Sequence, residues 1–383
     1  MRLLLDYRPA LRERTGVGEY VHQLARALVQ LSEDGAAEGG LTVELFTSSW
    51  KDRPDPAAVA ELGPVRVVDR RVPVRTLNWA WHRLRWPPAE LLAGGRYDVV
   101  HSPHPLLLPS RRAARVITIH DLDFLLHPER TREEIRRDYP AFVRRAAHTA
   151  ELVIVPSAHV GRVAAGLLEL DASVVCVCPQ GGPGWEPDPA QARGNPGGRY
   201  ILFLGTLEPR KNVQGLLDAY AALVTRWPQA PPLVLAGHGT PQAERWLEAT
   251  LRPPLAGHVE CRGYVPSHER RALYEGARLL VLPSFDEGFG LPVIEAMSAG
   301  IPVVASDRGA LPEVCGGAAL LVDPDDRGSI CAGIERVLRE AGLAGRLAER
   351  GLARARDFSW RRTAELTFEA YRRALVRRAR GAA

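Results

Sequence analysis

The sequence predicts an α/β protein with two doubly wound, Rossmann-like domains whose parallel sheets face each other across a cleft. Three observations support this fold class. The chain has 383 residues, which exceeds the size at which one hydrophobic core stops growing. Short apolar runs alternate with longer amphipathic runs through both halves, a rhythm typical of strand–helix–strand units. The stretch 179–200 is the richest in Pro and Gly and therefore separates the two halves.

Six apolar runs in the first half predict buried strands, because continuous apolar runs suit a parallel sheet that is covered on both faces. These runs are RLLLD, VELF, DVVHS, RVITIHD, ELVIVPS and SVVCVC. Amphipathic spacing between them predicts helices at about 17–31, 79–92, 131–147 and 157–167. We therefore assign residues 1–180 to an N-terminal domain.

The second half repeats this pattern after a predicted linker at residues 181–199. Strands are predicted at YILFLG, PLVLAG, VECRG, RLLVLPS, PVVAS and AALLV, and helices near 212–226, 241–250, 267–276, 291–299, 326–340 and 343–355. This second domain spans residues 200–358. Ligands of doubly wound sheets bind beyond the carboxyl ends of the strands, so we expect the ligand cleft to lie between the two domains.

Two basic segments have more than one interpretation. Residues 359–383 predict a long helix with much more Arg than Glu. Four interpretations are open for this helix: it caps a domain, it crosses back to the N-terminal domain, it contacts anionic lipid, or it presents a solvated basic face. We expect it to cross back to the N-terminal domain. The stretch RTLNWAWHRLRWPPAELL combines aromatic and basic residues, and its Trp79, Trp81 and Trp86 either contact lipid or pack a helix.

Composition narrows the function classes. The net charge of +5 suits anionic ligands or a membrane surface without fixing either. The five cysteines form no C-x-x-C pair, which predicts buried thiols in a reducing compartment and no metal site. The N-terminal MRLLLDYRPA is too short for a signal peptide, and no apolar window reaches the ~20 residues of a spanning helix. We expect a cytoplasmic protein, either soluble or peripheral at the inner face of the plasma membrane.

Glycines and a histidine mark strand ends in the first half. Gly16 and Gly18 stand where a helix begins, and glycine there lets backbone N–H groups approach a phosphate or a sugar. The alternative is a tight turn, since Val21 replaces the third glycine of the dinucleotide fingerprint. His120 either binds a ligand hydroxyl or is structural, and Ser157 is interpreted as a helix N-cap.

The segment YILFLGTLEPRKN ends a strand with Gly205 and then brings Arg210 and Lys211 into the next helix. A guanidinium can fork two phosphate oxygens and an ammonium is a compact point charge, so this pair suits a diphosphate. The alternative is a surface charge pair. Of the 50 Lys and Arg residues only Lys51 and Lys211 are Lys, which disfavours that alternative. The stretch LVLAGHG places Gly237 at another strand end.

The loop in RLLVLPSFDEGFGLPVIEAMSAGIPVVAS contains the largest number of candidate ligand-binding residues in the sequence. A strand ends at Pro283-Ser284 and a helix begins near Leu291-Pro292, where proline suits the first turn. Backbone N–H groups from Gly288 to Leu291 at this helix start predict a phosphate site. Glu287 and Glu295 have seven residues between them, and we expect both to face one ligand, as acceptors for ribose or sugar hydroxyls. The alternative is two solvated glutamates.

These residues resemble the retaining nucleotide-sugar glycosyltransferases of family 4, which have the GT-B architecture. The resemblance covers almost the whole chain, and its strongest parts are GTLEPRKN and LPSFDEGFGLPVIEAMSAGIPVVASDRGALPEVCGGAALLVDPDD. The stretches TGVGEY and HDLDFL are similar to a mannosyltransferase-like subgroup of bacterial polysaccharide, O-antigen and glycolipid assembly. The resemblance implies that residues 1–180 form the acceptor-side domain and residues 200–358 the nucleotide-sugar-binding domain.

By position, the resemblance implies a role for each matching residue. Arg210 and Lys211 bind the donor diphosphate, Glu287 contacts the transferred sugar, and His120 touches that sugar from the other domain; these four are the implied catalytic residues. The implied donor-binding residues are Gly16, Gly18, Gly205, Thr206, Arg210, Lys211, Gly237, Tyr264, Val265, Glu287, Gly288, Phe289, Gly290, Leu291 and Glu295. Among them Tyr264 and Val265 match the loop that contacts the base, and Glu295 matches the ribose ligand. Thr206 stands where some members have a third cation.

The implied reaction moves a hexose, with mannose as the first guess, from a nucleoside diphosphate sugar such as GDP-mannose to a hydroxyl of a glycan or lipid-linked acceptor. The anomeric configuration is retained, and the leaving phosphate oxygen takes the acceptor proton. We expect no metal, no other cofactor and no nucleic acid; contact with an anionic membrane and the oligomeric state stay open. The alternatives are a nucleotide-sugar epimerase of similar shape, a transferase with another donor and a small-molecule acceptor, and a non-catalytic relative.

Overall fold

The computed structural model describes residues 1–11, 14, 16–130, 133–186 and 195–382. Contacts divide the chain into two compact units, Met1–Gly181 with Trp360–Ala383, and Gly182–Ser359. Of the predicted linker, residues 187–194 lie outside the described residues, as do residues 131 and 132 of a predicted helix.

The first unit holds a parallel sheet with the order β3-β2-β1-β4-β5-β6-β7 within the described residues. Its strands are β1 Arg2–Asp6, β2 Thr42–Ser48, β3 Arg66–Arg70, β4 Val99–Ser102, β5 Ala114–Thr118, β6 Leu152–Val155 and β7 Val175–Val177. The edge strand β3 is missing from the sequence prediction. Val68 is its one buried residue, so β3 shows no continuous apolar run.

Helices lie on both faces of this sheet. They are α1 Gly16–Glu33, α2 Pro56–Ala60, α3 Val74–Arg83, α4 Ala89–Ala93, α5 Asp123–Leu126, α6 Glu133–Thr149 and α7 Ala158–Leu167. Successive side chains of a strand point to opposite faces. Accordingly, Leu3 and Leu5 of β1 are buried in one cluster with α1, whereas Leu4 is buried in another with Trp81 of α3.

Two local predictions in this unit have opposite outcomes. The single helix predicted at about 79–92 is wrong, because the structure has two helices, α3 and α4, in this range. Pro87 and Pro88 lie between them, and proline lacks the N–H donor that would continue a helix. The prediction for Ser157 is confirmed, since its Oγ accepts a hydrogen bond from Val160 N at 3.2 Å and caps α7.

The second unit holds a parallel sheet with the order β10-β9-β8-β11-β12-β13 within the described residues. Its strands are β8 Tyr200–Leu204, β9 Leu233–Ala236, β10 Val259–Gly263, β11 Ala277–Leu282, β12 Val303–Ser306 and β13 Leu320–Val322. Its helices are α8 Val213–Arg226, α9 Glu244–Thr250, α10 Ser267–Glu275, α11 Leu291–Ser298, α12 Leu311–Cys315, α13 Arg327–Arg339 and α14 Leu343–Ala355. Two Rossmann-like units with parallel sheets confirm the predicted fold class.

The C-terminal helix α15, Trp360–Ala382, belongs to the first unit, so the prediction that it crosses back is confirmed. Its Tyr371 is fully buried in the cluster that contains β1 and α1, and the Tyr371 hydroxyl lies 2.8 Å from His101 Nδ1. On its outer face Arg361 pairs with Asp34 at 2.6 Å. The basic helix therefore completes the core of the first unit.

The cysteines lie largely where the composition predicts. Four are buried and Cys261 is exposed, and all five are free thiols. Burial raises the pKa of the Cys178 and Cys315 thiols to about 12. Since the thiolate is the reactive form, these two buried side chains are chemically inert at neutral pH.

Candidate functional site

The predicted phosphate-binding residues of the second unit lie where the strand order reverses. The strand β8 pairs with β9 on one side and with β11 on the other. The loops that follow β8 and β11 therefore leave the same edge of the sheet next to each other, at the point where doubly wound sheets bind ligands. This topology brings residues 205–212 and 283–290 together.

Lys211 and Glu287 form a buried ion pair in this cluster. Lys211 Nζ donates a hydrogen bond to Glu287 Oε1 at 2.5 Å, and Ser284 Oγ donates to the same oxygen at 2.7 Å. Only 8% of Lys211 and 5% of Glu287 are exposed, so this is not a surface charge pair. Burial alone would raise the pKa of Glu287, but the charges of Lys211 and Arg210 and the two hydrogen bonds lower it below its usual value.

Arg210 reaches the same carboxylate through longer contacts. Its guanidinium lies 3.0 Å from Glu208 Oε1, 3.2 Å from the Asp286 carbonyl oxygen and 3.5 Å from Glu287 Oε2. Both cations lie in the 3₁₀ turn Pro209–Lys211, so the prediction that they enter the next helix is wrong. Asn212, in a left-handed conformation, ends that turn before α8 begins.

Asn212 joins the two loops, and sequence reasoning missed it. Its Nδ2 donates to the carbonyl oxygens of Pro283 at 3.1 Å and Pro324 at 2.7 Å, while its Oδ1 accepts from Gly215 N at 3.2 Å. Asn tolerates the left-handed backbone that this position requires, φ +56°. An Asn three residues before a glycine at a helix start is the local signal that could have identified this cap.

Two glycines shape the turn after β8. A Cβ added to Gly237 would lie 2.0 Å from the Gly205 carbonyl oxygen, and Gly237 has a φ of +140°. The Lys211 side chain lies next to Gly205: a Cβ built on Gly205 would be 3.6 Å from Lys211 Cε. Thr206 belongs to the same turn, where its carbonyl accepts from Glu208 N at 2.9 Å. Gly237 therefore permits the close approach of the loop after β9 to the Gly205 backbone, whereas a side chain at Gly205 would make an ordinary contact with Lys211.

The loop after β11 leads into the start of α11. Gly290 is the N-cap residue, with a φ of +102° and no side-chain cap, and the first N–H groups of a helix have no partner within it. Gly288 precedes it in this loop, and Leu291 opens the helix. Phe289 is buried and packs edge-on against Phe358, with ring centroids 5.5 Å apart. The helix start therefore presents backbone dipoles near Glu287.

Glu295 lies in a hydrogen-bond network of its own. Its Oε1 accepts from Arg270 Nη1 at 3.3 Å, and its Oε2 accepts from the Tyr274 hydroxyl at 2.8 Å. Both partners come from α10, and sequence reasoning missed them. Glu295 and Glu287 are both buried, so the alternative of two solvated glutamates is wrong.

Tyr264 and Val265 follow β10 at the same edge of the sheet. Val265 is buried, whereas Tyr264 is half-buried. The Tyr264 ring stacks on His238, with ring centroids 4.7 Å apart and planes at 16°. His238, which directly follows Gly237, was not predicted. The pair forms a flat aromatic surface of the kind on which a nucleobase can stack.

In the first unit the structure places Gly16 and Gly18 in the first turn of α1. A Cβ on Gly18 would lie 2.9 Å from the Pro9 carbonyl oxygen, whereas Gly16 has open space and a φ of +34°. Gly18 is thus required by packing, which supports the tight-turn alternative at that position.

His120 forms hydrogen bonds through both nitrogens of its ring. Its Nε2 lies 2.9 Å from the Pro103 carbonyl oxygen and its Nδ1 lies 3.3 Å from Gln180 Nε2. Burial lowers the pKa of His120, so its ring is neutral at neutral pH.

A charged network at the end of β1 was not predicted. The fully buried Asp6 accepts hydrogen bonds from Arg8 at 2.6 Å and pairs with His104 Nε2 at 2.9 Å. Burial alone would raise the pKa of Asp6, but Arg8 and His104 hold it well below its usual value. The Arg8 guanidinium also lies 4.7 Å from the centre of the Trp81 ring and donates to Asn78 at 3.0 Å. The position of Asp6 at the end of the apolar strand RLLLD is the sequence feature that could have indicated this network.

Two family models match the chain. Residues 14–183 match Glycosyltransferase Family 4, and residues 198–340 match Glycosyl transferases group 1. The two ranges lie one in each half of the chain and together cover most of it. The two models together identify the chain as a glycosyltransferase whose first half matches family 4 and whose second half matches group 1.

One curated protein is similar to part of the chain in sequence, and two solved structures are similar to it in fold. O-antigen chain mannosyltransferase B of Escherichia coli is 42% identical over 173 residues, which are 45% of this chain and 45% of that protein. The match thus spans about half the length of this relative. Sucrose-phosphate synthase from Thermosynechococcus elongatus superposes with a TM-score of 0.73 at 24% identity, covering 97% of this chain and 98% of the other. Anabaena HepE in complex with UDP and glucose gives 0.68 at 19% identity, covering 96% and 98%.

Proposed function

We propose that the chain is a glycosyltransferase that moves a hexose from a nucleoside diphosphate sugar to an acceptor hydroxyl in polysaccharide, O-antigen or glycolipid assembly. The observation that carries this proposal is the buried cluster of Lys211, Arg210 and Glu287. Two cations beside a helix start, where the strand order reverses, suit a diphosphate. The matches to Glycosyltransferase Family 4 and to Glycosyl transferases group 1 support the same function.

Lys211 and Arg210 have different proposed roles in binding the diphosphate. In this proposal Lys211 stays on Glu287 and supplies a fixed point charge, because its 2.5 Å contact is the shortest in the cluster. Arg210 exchanges its longer contacts for two phosphate oxygens, which a guanidinium can fork. Negative charge gathers on the diphosphate as it leaves, so positioned cations and the N–H groups of Phe289 to Leu291 stabilise the transition state most. The proposal includes no metal ion.

The two glutamates take different parts of the donor. Glu287 Oε1 already accepts two hydrogen bonds, and a carboxylate has about four acceptor sites, so capacity remains for a hydroxyl of the sugar. Glu295, oriented by Arg270 and Tyr274, is proposed to accept the ribose hydroxyls. Tyr264 and Val265, with His238 stacked on Tyr264, are proposed to contact the base.

We propose that the reaction retains the anomeric configuration and that the leaving phosphate oxygen takes the acceptor proton. Retaining glycosidases place two carboxyl groups about 5–5.5 Å apart and use one as nucleophile. Here Glu287 and Glu295 are bound into separate networks, which is why no nucleophile is assigned. His120 is neutral and hydrogen-bonded at both ring nitrogens, so a contact with the sugar would replace one of these bonds.

Mannose is the proposed sugar and GDP the proposed nucleotide. The support is the 42% identity, over the matched segment, to an O-antigen chain mannosyltransferase. The HepE structure holds UDP and glucose, so UDP-glucose is the comparison donor in the test. A polysaccharide or lipid-linked glycan is the proposed acceptor class.

A transfer assay with GDP-mannose and UDP-glucose tests the proposal. Lys211→Ala and Glu295→Ala are each expected to lower transfer at least about tenfold, in line with the loss of one transition-state contact. Lys51→Ala is the control, because Lys51 is exposed and is the only other lysine. Near-normal transfer by both site variants contradicts the site assignment. Incubation with donor alone separates the epimerase alternative, since an epimerase converts the sugar without an acceptor.

A further inference from the structure

One surface of the first unit exposes large apolar side chains. We call residues 71–93, which contain α3 and α4, the α3–α4 surface. The exposed fractions there are 58% for Trp79, 57% for Leu84, 55% for Trp86 and 63% for Leu91. Trp81 differs, because it is buried and packs against Phe46 with ring centroids 5.7 Å apart. Folded monomers rarely expose a dense apolar patch unless it binds something.

The charge on this surface has one sign. Arg75, Trp79 and Arg83 are four residues apart along α3 and therefore share one face of the helix, and all three are exposed. Arg71 and Arg85 extend the positive charge, and these four arginines form no ion pair with a carboxylate in the described part of the chain. The sole acidic residue of the segment, Glu90, accepts a hydrogen bond from Ser110.

A cavity of about 240 Å³ opens beside the same surface. The α3–α4 surface contributes Trp81, His82 and Arg85, a loop contributes Leu106, Leu107 and Arg111, and α6 contributes Phe142 and Arg145. The His82 ring stacks on Phe142 with centroids 4.6 Å apart. His82 Nε2 is buried and has no hydrogen-bond partner among the described residues. Another lining residue, Arg115, is already neutralised by Glu151 at 2.6 Å.

We propose that the α3–α4 surface docks on an anionic lipid bilayer, with Trp79 and Trp86 in the interface and a headgroup phosphate in the cavity near Arg85. Tryptophan rings favour the membrane–water interface, and arginines beside them are attracted to anionic headgroups. In the described part of the chain no helix is long and apolar enough to cross a bilayer, so the contact is peripheral. This proposal does not depend on the transfer reaction.

Vesicle flotation of the full chain tests the proposal without any activity assay. The probes are vesicles of phosphatidylcholine alone and of phosphatidylcholine with phosphatidylglycerol in equal parts. We expect the protein to float with the anionic vesicles and to remain behind with the neutral ones. Binding is expected to be lost at about 1 M salt, where the Debye length falls to about 3 Å.

Two double variants probe the apolar and the charged parts of the surface separately. Trp79→Ala with Trp86→Ala, and Arg75→Glu with Arg83→Glu, are each expected to lower the vesicle partition coefficient at least about tenfold. All four side chains are exposed, so circular dichroism and the unfolding temperature should not change. Leu251→Ala and Arg350→Glu remove an exposed apolar and an exposed basic side chain from the second unit; they should bind as the wild type does.

Arg85→Glu tests the cavity and is expected to weaken anionic binding by a similar factor. The proposal is overturned if the wild type does not bind anionic vesicles, if it binds neutral vesicles equally, or if the double variants bind normally. Sedimentation equilibrium tests whether a second copy of the chain binds this surface instead of a bilayer. Self-association that the same variants abolish, without vesicle binding, would assign the surface to a second copy of the chain and overturn the bilayer proposal.

Discussion

Lys211 donates a 2.5 Å hydrogen bond to Glu287, a residue 76 positions further along the chain. The pair connects the loop after β8 to the loop after β11, which are neighbouring strands where the order of the sheet reverses. Because both side chains are buried, neither charge is stable there without the other. The position of the ammonium, and with it the proposed diphosphate site, is therefore set by the topology of the sheet.

Lys211→Arg tests whether the site needs the shape of lysine or only its charge. The Lys211 side chain is buried and its Nζ lies 2.5 Å from Glu287 Oε1, so the larger guanidinium has to displace its neighbours. We expect kcat/KM for transfer to fall about tenfold or more. Steady-state kinetics with a saturating acceptor measure this.

Lys51→Arg is the matched control, since Lys51 is exposed, and it should leave kcat/KM unchanged. If Lys211→Arg also has no effect, positive charge suffices at this position. The rarity of lysine in the chain then has another cause than the geometry of the Glu287 pair.

Glu287→Gln should remove the part of the folding stability that depends on the ionised Glu287 carboxylate and that is lost in acid. The folded-state pKa of Glu287 is lower than 4.5, so its carboxylate stabilises the fold fully above about pH 5. That contribution is lost as pH falls through the folded-state value. The Gln variant leaves Lys211 buried without its counter-charge, which costs roughly 3 kcal/mol at neutral pH.

Urea unfolding between about pH 4 and pH 8 measures the difference between the wild type and Glu287→Gln. The difference should be constant above about pH 5 and should shrink below 4.5, the ordinary pKa value. A difference that stays the same over the whole range would show that Glu287 does not act through its charge.

The sequence predicts well those features that depend on residues close together in the chain. The apolar run of β8 and the proline at the start of α11 are local, and both are found where they were predicted. Lys211 and Glu287 were each identified as candidate site residues, but their ion pair was not predicted, because pairing depends on which strands become neighbours. Asn212 bonds to a carbonyl 112 positions away, and no local period contains that information.

Errors in the predicted elements also have physical causes. The predicted helix at 79–92 follows a continuous amphipathic pattern, yet Pro87 and Pro88 interrupt it. The strand β3 lies at a sheet edge with one buried residue, Val68, so it has no apolar run to detect. Arg270 and Tyr274, which hold Glu295, lie on α10 with ordinary helix spacing and gave no functional signal.

Gly237→Ala should be strongly destabilising because of the close approach to the Gly205 backbone. The new Cβ would lie 2.0 Å from the Gly205 carbonyl oxygen, at a φ of +140°. Backbone strain of this kind costs about 1–3 kcal/mol, and the steric clash adds to it. Thermal unfolding should show a clear loss of Tm, together with weaker binding of nucleoside diphosphates.

Gly239→Ala, two residues further on, is the matched control. Its Cβ would meet nothing closer than Ala243 Cβ at 3.8 Å, so its Tm should stay within error of the wild type. Equal Tm values for the two variants would contradict the proposed close packing of Gly237 on Gly205.

Tyr371→Phe tests how the C-terminal helix is bound to the first unit. The Tyr371 hydroxyl and His101 Nδ1 are 2.8 Å apart, and both residues are fully buried. Phenylalanine keeps the ring packing but leaves the histidine nitrogen without this partner, which costs about 1–3 kcal/mol. Burial lowers the pKa of His101 to about 3, so the histidine is neutral in the folded protein and the bond is between uncharged groups.

Urea unfolding at about pH 7 and pH 5 measures this loss and separates the bond from protonation. A depressed histidine pKa means that stability falls as pH drops below about 6.5, because the unfolded chain binds the proton first. Both the wild type and Tyr371→Phe retain His101, so both should lose stability on acidification while the gap between them stays. Tyr371→Ala, which also removes the ring, should lose about 3–5 kcal/mol. If Tyr371→Phe were as stable as the wild type, packing alone would hold α15 on the first unit.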